Sequence, residues 1–226
     1  MKMEFVFILV EPAVPENIGA AARAMKTMGF NRLRLVRPAD HLGSGALKLA
    51  HGAHEILEQA ELFPVLQDSV KDLDYVVGTT TKKRNIRNEY IDAKLLSSFL
   101  EGKGHTIRRV GLIFGREESG LTNEEIALCD VLSTVPLKTT YPSLNLSQAV
   151  MIYTYLLSGL SFEVNEQPDQ EISEFNVLKR KLTEFLPQIG IRTKHPIYVR
   201  ILERVALMKQ DDIHLALSII EKINKM

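Results

Sequence analysis

The chain has 226 residues, more than one ordinary domain and less than two, so a full domain with a small appendage is the natural expectation. Hydrophobic residues at 45% and charged residues at 25% exclude a mostly disordered chain. Because 28 Lys and Arg balance 28 Asp and Glu, any nucleic-acid site must be a local patch on a neutral whole. Cys129 is the single cysteine, which excludes intrachain disulfides and multi-cysteine zinc sites and fits a reducing cytoplasm.

In chain order, the first apolar run, Phe5–Val10, meets Glu11 and Pro12 too soon for a signal peptide or a membrane span, and it reads as a buried strand. Asn17 then stands where it can cap a helix through Ala20–Met28, which Gly29 ends. Further strand-sized runs follow at Leu33–Val36, Tyr75–Val77, Val110–Phe114 and Leu132–Leu137, mostly separated by helix-like stretches. That alternation predicts an α/β fold with a mostly parallel sheet and helices on both faces. Thr122 and Glu125 have the spacing of a capping box for a helix ending near Cys129. From Asn145 to Leu160 the apolar residues keep helical spacing on a broad face. An acidic, polar stretch at about 163–174 reads as a linker, so residues 1–163 are expected to form one domain. Residues 164–226 are expected to form a helical extension with helices near Phe175–Leu186, Pro196–Met208 and Asp212–Ile223.

Several familiar signals are incomplete. Gly43-Ser44-Gly45 lacks the third glycine of a dinucleotide fingerprint, and no phosphate-binding P-loop occurs. His51 and His54 have no partner motif that would make a metal site, and no metal is expected.

Ligands of open α/β sheets bind beyond the carboxyl ends of the strands. Three segments at such places mix small, polar and amide residues: Asn17-Ile18-Gly19-Ala20-Ala21-Ala22-Arg23-Ala24, Leu112-Ile113-Phe114-Gly115-Arg116-Glu117-Glu118-Ser119-Gly120-Leu121 and Tyr141-Pro142-Ser143-Leu144-Asn145-Leu146-Ser147-Gln148-Ala149. Together they resemble the motif set of the SPOUT-class RNA ribose 2′-O-methyltransferases, within that class most closely the TrmJ-type tRNA enzymes of the SpoU family. The resemblance implies a catalytic domain with a C-terminal trefoil knot, S-adenosylmethionine as cofactor, and a homodimer acting on tRNA in the anticodon loop (position 32 type). Ribosomal RNA or another tRNA site is the alternative target, and a non-catalytic RNA-binding protein of the same fold is the alternative activity. It further implies cofactor contacts from Thr79, Thr80, Thr81, Gly115, Val135, Leu137, Ser143 and Leu144, and a catalytic group of Arg23, Asn17, Glu117, Ser143 and Asn145.

The chemistry gives Arg23 a definite role to test. A ribose 2′-hydroxyl is a poor nucleophile, and a guanidinium can stabilise the developing charge or orient a phosphate that takes the proton, although arginine does not itself deprotonate. Each residue also has a structural reading: Arg23 as a solvated helix residue, Asn17 and Asn145 as helix caps, Glu117 as a surface carboxylate, Ser143 as a turn residue. The basic run Lys82, Lys83, Arg84 and Arg87 directly follows Thr79–Thr81, where an RNA backbone would approach, and is either a phosphate-binding patch or a solvated loop.

Overall fold

Seven consecutive buried residues, Glu4–Val10, form β1, and a strand buried on both faces belongs in the middle of a parallel sheet. The computed structural model describes residues 3–81, 89–139, 143–160, 172–193 and 195–223. In it, β1 is joined by β2 (Arg32–Val36), β3 (Glu61–Phe63), β4 (Tyr75–Thr79), β5 (Tyr90–Asp92), β6 (Arg109–Phe114) and β7 (Val131–Thr134). Every pairing is parallel and the order is β3-β2-β1-β6-β4-β7-β5. The seven-stranded parallel sheet agrees with the alternation of apolar runs. The two edge strands, β3 and β5, did not stand out because each has three residues and little burial. The Leu132–Leu137 run is strand only as far as Thr134, beyond which Val135–Leu137 leaves the sheet.

The connecting helices are α1 (Pro15–Thr27), α2 (Ser44–Leu49), α3 (His54–Glu58), α4 (Leu66–Ser69), α5 (Ala93–Glu101), α6 (Asn123–Ala127) and α7 (Leu146–Leu157). Strand periodicity sends Phe5, Phe7 and Leu9 to one face, where they meet α1, α5 and α7, and Val6, Ile8 and Val10 to the other, where Leu66, Ile126 and Cys129 cover them. Helix α1 starts earlier than expected. Its N-cap is Val14, with Pro15 at the first helical position, so Asn17 lies inside the first turn and is not the cap. Gly29 ends the helix with φ +82°, as expected of a glycine there. The capping box at Thr122 and Glu125 is formed, and Asn145 caps α7, its side chain accepting from the Ser147 amide.

The tail forms α8 (Glu174–Gln188), α9 (Pro196–Ala206) and α10 (Gln210–Ile223). The boundary expected at 163/164 lies outside the described residues. Phe175, Leu178, Val205, Ala206 and Ile213 join the same apolar core as β1 and β6. At this contact lies Lys103, fully buried, its Nζ donating to the carbonyls of Ala206 and, at 2.8 Å, Met208. The ammonium also sits 4.7, 5.1 and 5.0 Å from the ring centroids of Tyr75, Phe99 and Phe175. Tyr75 donates to Ala206 as well, at 2.6 Å. No helix among the described residues is long and apolar enough to cross a membrane.

Candidate active site

The carboxyl ends of β4, β6 and β7 lie side by side, and the segments that follow them line a cleft of about 370 Å³ against the start of α7. Of the expected cofactor contacts, Thr79, Thr80, Thr81, Gly115, Val135, Ser143 and Leu144 line it, whereas Leu137 does not. The strand ends are tied together: the Thr79 hydroxyl donates to the Ile113 carbonyl at 2.9 Å, and the Thr80 amide to the Ser133 carbonyl at 3.0 Å. The Thr79 side chain therefore fixes β4 to β6 rather than standing free in the cleft.

The wall after β6 is a tight turn closed by the bridge between Arg116 and Gly120. A Cβ at Gly115 would stand 2.3 Å from the Gly120 carbonyl carbon and 2.4 Å from the Leu121 nitrogen, so only glycine lets the two backbones meet. Arg116 braces the turn from outside, forking to both Glu125 oxygens at 3.0 Å and donating to Glu11 at 2.6 Å. Burial alone would raise the Glu125 carboxyl. The Arg116 fork and the Thr122 amide outweigh it and hold Glu125 below the usual carboxylate range. Glu11, with φ +47°, also pairs with Arg37, with φ +44°, so both residues in the left-handed region sit just after neighbouring parallel strands.

The three segments singled out in the sequence are joined by one hydrogen-bonded chain. Glu117 accepts from the Ala13 and Val14 amides at 3.2 and 3.4 Å and from the Asn17 side chain at 3.0 Å. Asn17 in turn accepts from the Asn145 side chain at 2.8 Å, and Asn145 accepts from the Ser147 amide and hydroxyl. The Glu117 carboxylate thus supplies, from a hundred residues away, the side-chain acceptor that Val14 lacks at the start of α1, and adds to the charge of Glu16 in the first turn. Asn17 links it to α7.

Arg23 is exposed on α1 and does not line the cleft. It lies six residues beyond Asn17, about 120° around the helix, so the two side chains leave in different directions. Lys82, Lys83, Arg84 and Arg87 lie outside the described residues, as do Tyr141 and Pro142. Sequence reading assigned no cofactor contact to Phe114, Leu146, Ala149 or Tyr153, which add apolar surface to the cleft. Their signal was present: Leu146, Ala149 and Tyr153 are spaced as i, i+3 and i+7 on α7, a stripe that reads as ordinary core until the cleft beside it is seen. Among the described residues no group of three His, Cys, Asp or Glu side chains is arranged to hold a metal ion.

Residues 4–155, the sheet and its first seven helices, match the model of the SpoU rRNA methylase family. Over 224 residues the chain is 40% identical to an uncharacterized tRNA/rRNA methyltransferase, LasT, of Escherichia coli (strain K12), covering 97% of this chain and 98% of that one. It is 36% identical over 189 residues to the tRNA (cytidine-2′-O-)-methyltransferase TrmJ of Methanocaldococcus jannaschii, covering 79% and 80% of the two chains. The crystal structure of TrmJ from Z. mobilis ZM4 superposes with a TM-score of 0.66 at 29% identity, over 97% of this chain and 98% of that chain. The match over most of the sheet domain, together with relatives that share the tail, makes this chain a member of the SpoU methylase family.

Proposed function

We propose that the protein is an S-adenosylmethionine-dependent methyltransferase that modifies a ribose 2′-hydroxyl of tRNA in the anticodon loop, working in the cytoplasm. The observation that carries this reading is the cleft itself, built at the carboxyl ends of β4, β6 and β7 from backbone, small and apolar side chains and the charged turn at Arg116–Glu118. Its volume falls within the roughly 300–1,000 Å³ of small-molecule sites. The residues fit the cofactor: the glycine-only approach at Gly115 keeps backbone at the wall, and Phe114, Leu146 and Ala149 offer apolar surface to a purine. When bound, S-adenosylmethionine supplies an electrophilic sulfonium methyl.

The chain's own residues divide the remaining work. Thr80, Thr81, Gly115, Val135, Ser143 and Leu144 bind and orient the cofactor. The Glu117–Asn17–Asn145 chain keeps the three motif segments in register, and Ser143, which lines the cleft, donates to the incoming nucleotide. Arg23 steadies the 2′-oxygen and orients the phosphate that accepts its proton. Its exposure away from the cleft of its own chain supports delivery to the cleft of a second copy. The hollow formed by Ala93, Pro136, Met151, Ile152, Tyr155 and Leu156 supports such a homodimer, since Tyr155 is 67% exposed on an otherwise apolar face. A trefoil knot in the C-terminal part of the sheet domain belongs to the same reading.

The test is mapping of 2′-O-methyl nucleotides by mass spectrometry in tRNA and ribosomal RNA incubated with the protein and S-adenosylmethionine. A new methyl in the anticodon loop is expected, and Arg23→Ala should lose at least a hundredfold in rate while binding the cofactor normally. Methylation confined to ribosomal RNA would overturn the substrate, and near-normal turnover by Arg23→Ala would remove that residue from the mechanism.

A further inference from the structure

We infer that Glu118 is a specificity residue of the cleft: its carboxylate favours S-adenosylmethionine, which carries a net positive charge, over S-adenosylhomocysteine, the neutral thioether that methyl transfer leaves behind. This rests on the cleft being the cofactor site.

Among the described residues, the charged side chains of the cleft belong to Arg116, Glu117 and Glu118. Two of them are already engaged. Arg116 forks to Glu125 and donates to Glu11, so two carboxylates balance its positive charge. Glu117 accepts from the Ala13 and Val14 amides and from the Asn17 side chain at the start of α1. Glu118 is exposed and makes no hydrogen bond or ion pair with any described residue. The bridge between Arg116 and Gly120 and the close backbone approach at Gly115 hold the turn that carries it at the wall of the cleft.

The chemistry of the ligands gives that free carboxylate something to distinguish. S-adenosylmethionine holds a sulfonium, an ammonium and a carboxylate, so it is a cation overall. When the methyl passes to the ribose oxygen, the electron pair of the broken carbon–sulfur bond stays on sulfur and the hydroxyl proton leaves. The thioether that remains keeps only the ammonium and the carboxylate and is neutral. Cofactor and product therefore differ by that charge and a methyl group, and a wall of backbone and of small and apolar side chains holds them nearly alike. A ligand that fills about 370 Å³ lies against every wall, within the ~8 Å over which charges still sense each other at physiological salt. Glu118 thus attracts the sulfonium form more than the thioether. Its exposure to solvent keeps the preference modest. A preference of this sign helps fresh cofactor displace the spent one.

Calorimetry on the full chain tests the inference with three ligands: S-adenosylmethionine, S-adenosylhomocysteine and sinefungin, in which a carbon bearing an ammonium replaces the sulfonium. Glu118→Gln should weaken the two cationic ligands about three- to tenfold and leave S-adenosylhomocysteine within about twofold of its wild-type affinity. The wild-type preference should also shrink as salt is raised from about 0.05 to about 0.5 M. The melting temperature without ligand should not change, because the substitution removes no contact with a described residue. Equal losses for all three ligands, or affinities for both cationic ligands within about twofold of wild type, would overturn the inference. Ala149→Phe, which fills the cleft, separates the role of Glu118 from the cofactor reading. If it abolishes binding of all three ligands while Glu118→Gln changes no ratio between them, only the role of Glu118 falls. If it binds them as the wild type does, the cleft is not the cofactor site.

Discussion

A lysine with no exposed surface is unusual, and Lys103 reveals how the tail is held. Burial drives its pKa from an ordinary 10.5 down to about 7, with Asp130 pulling the other way. The two carbonyls near the end of α9 and the three ring faces moderate the cost of the charge without removing it. Between pH 7 and 10.5 the unfolded chain therefore holds a proton that the folded chain releases, so stability rises with pH across that window, by up to about 1.4 kcal/mol per unit. Lys103→Met should lose this contribution. Urea denaturation at intervals from pH 7 to 10 checks it through the difference between the two proteins. Parallel pH profiles would mean that Lys103 stays charged in the fold.

The contact between α1 and α2 depends on one missing atom. A Cβ on Gly19 would lie 2.0 Å from the Ala46 carbonyl oxygen, which is backbone and cannot swing away. Helix propensity alone would favour alanine there by about 1 kcal/mol. The clash should reverse the sign, so Gly19→Ala is expected to destabilise by roughly 1–3 kcal/mol, read as a lower urea midpoint. A variant more stable than wild type would contradict so close an approach. Such local features show what a sequence reveals and what it hides. The apolar runs of β1, β2, β4 and β6, the box at Thr122, the cap at Asn145 and the helices of the tail were legible because each is encoded within a few neighbouring residues. The turns that line the cleft were legible as unusual compositions after strands. The cap of α1 was not, because its carboxylate, Glu117, comes from a hundred residues downstream. Edge strands of three residues carry too little periodicity to be seen, and Lys103, between Gly102 and Gly104, has the neighbours of a surface turn. Tyr153 has helical spacing that fits either core or site.

For the whole molecule, the tail completes the core of the sheet domain. Phe175 packs on Tyr75 with centroids 5.1 Å apart, Lys179 pairs with Asp130, and the Asn176 side chain donates to the Leu73 carbonyl at 3.3 Å. A chain ending at residue 160 should consequently lose stability, with a melting temperature lower by ten degrees or more and increased binding of an apolar dye. Equal melting temperatures would make the tail a separately docked unit. The strand order has a temporal consequence as well. Glu4 pairs with Arg109 and Leu9 with Phe114, so the central strand β1 waits for a neighbour encoded about a hundred residues later. At about 5–20 residues per second, synthesis leaves one edge of the Phe5–Val10 segment unpaired for roughly 5–20 s. During that interval α1 and β2 can cover only part of this apolar segment. A nascent chain stalled before residue 109 should therefore recruit holding chaperones that one stalled well past β6 releases, so the protein's yield in a cell would be set by the pace of the ribosome as well as by the stability of the finished fold.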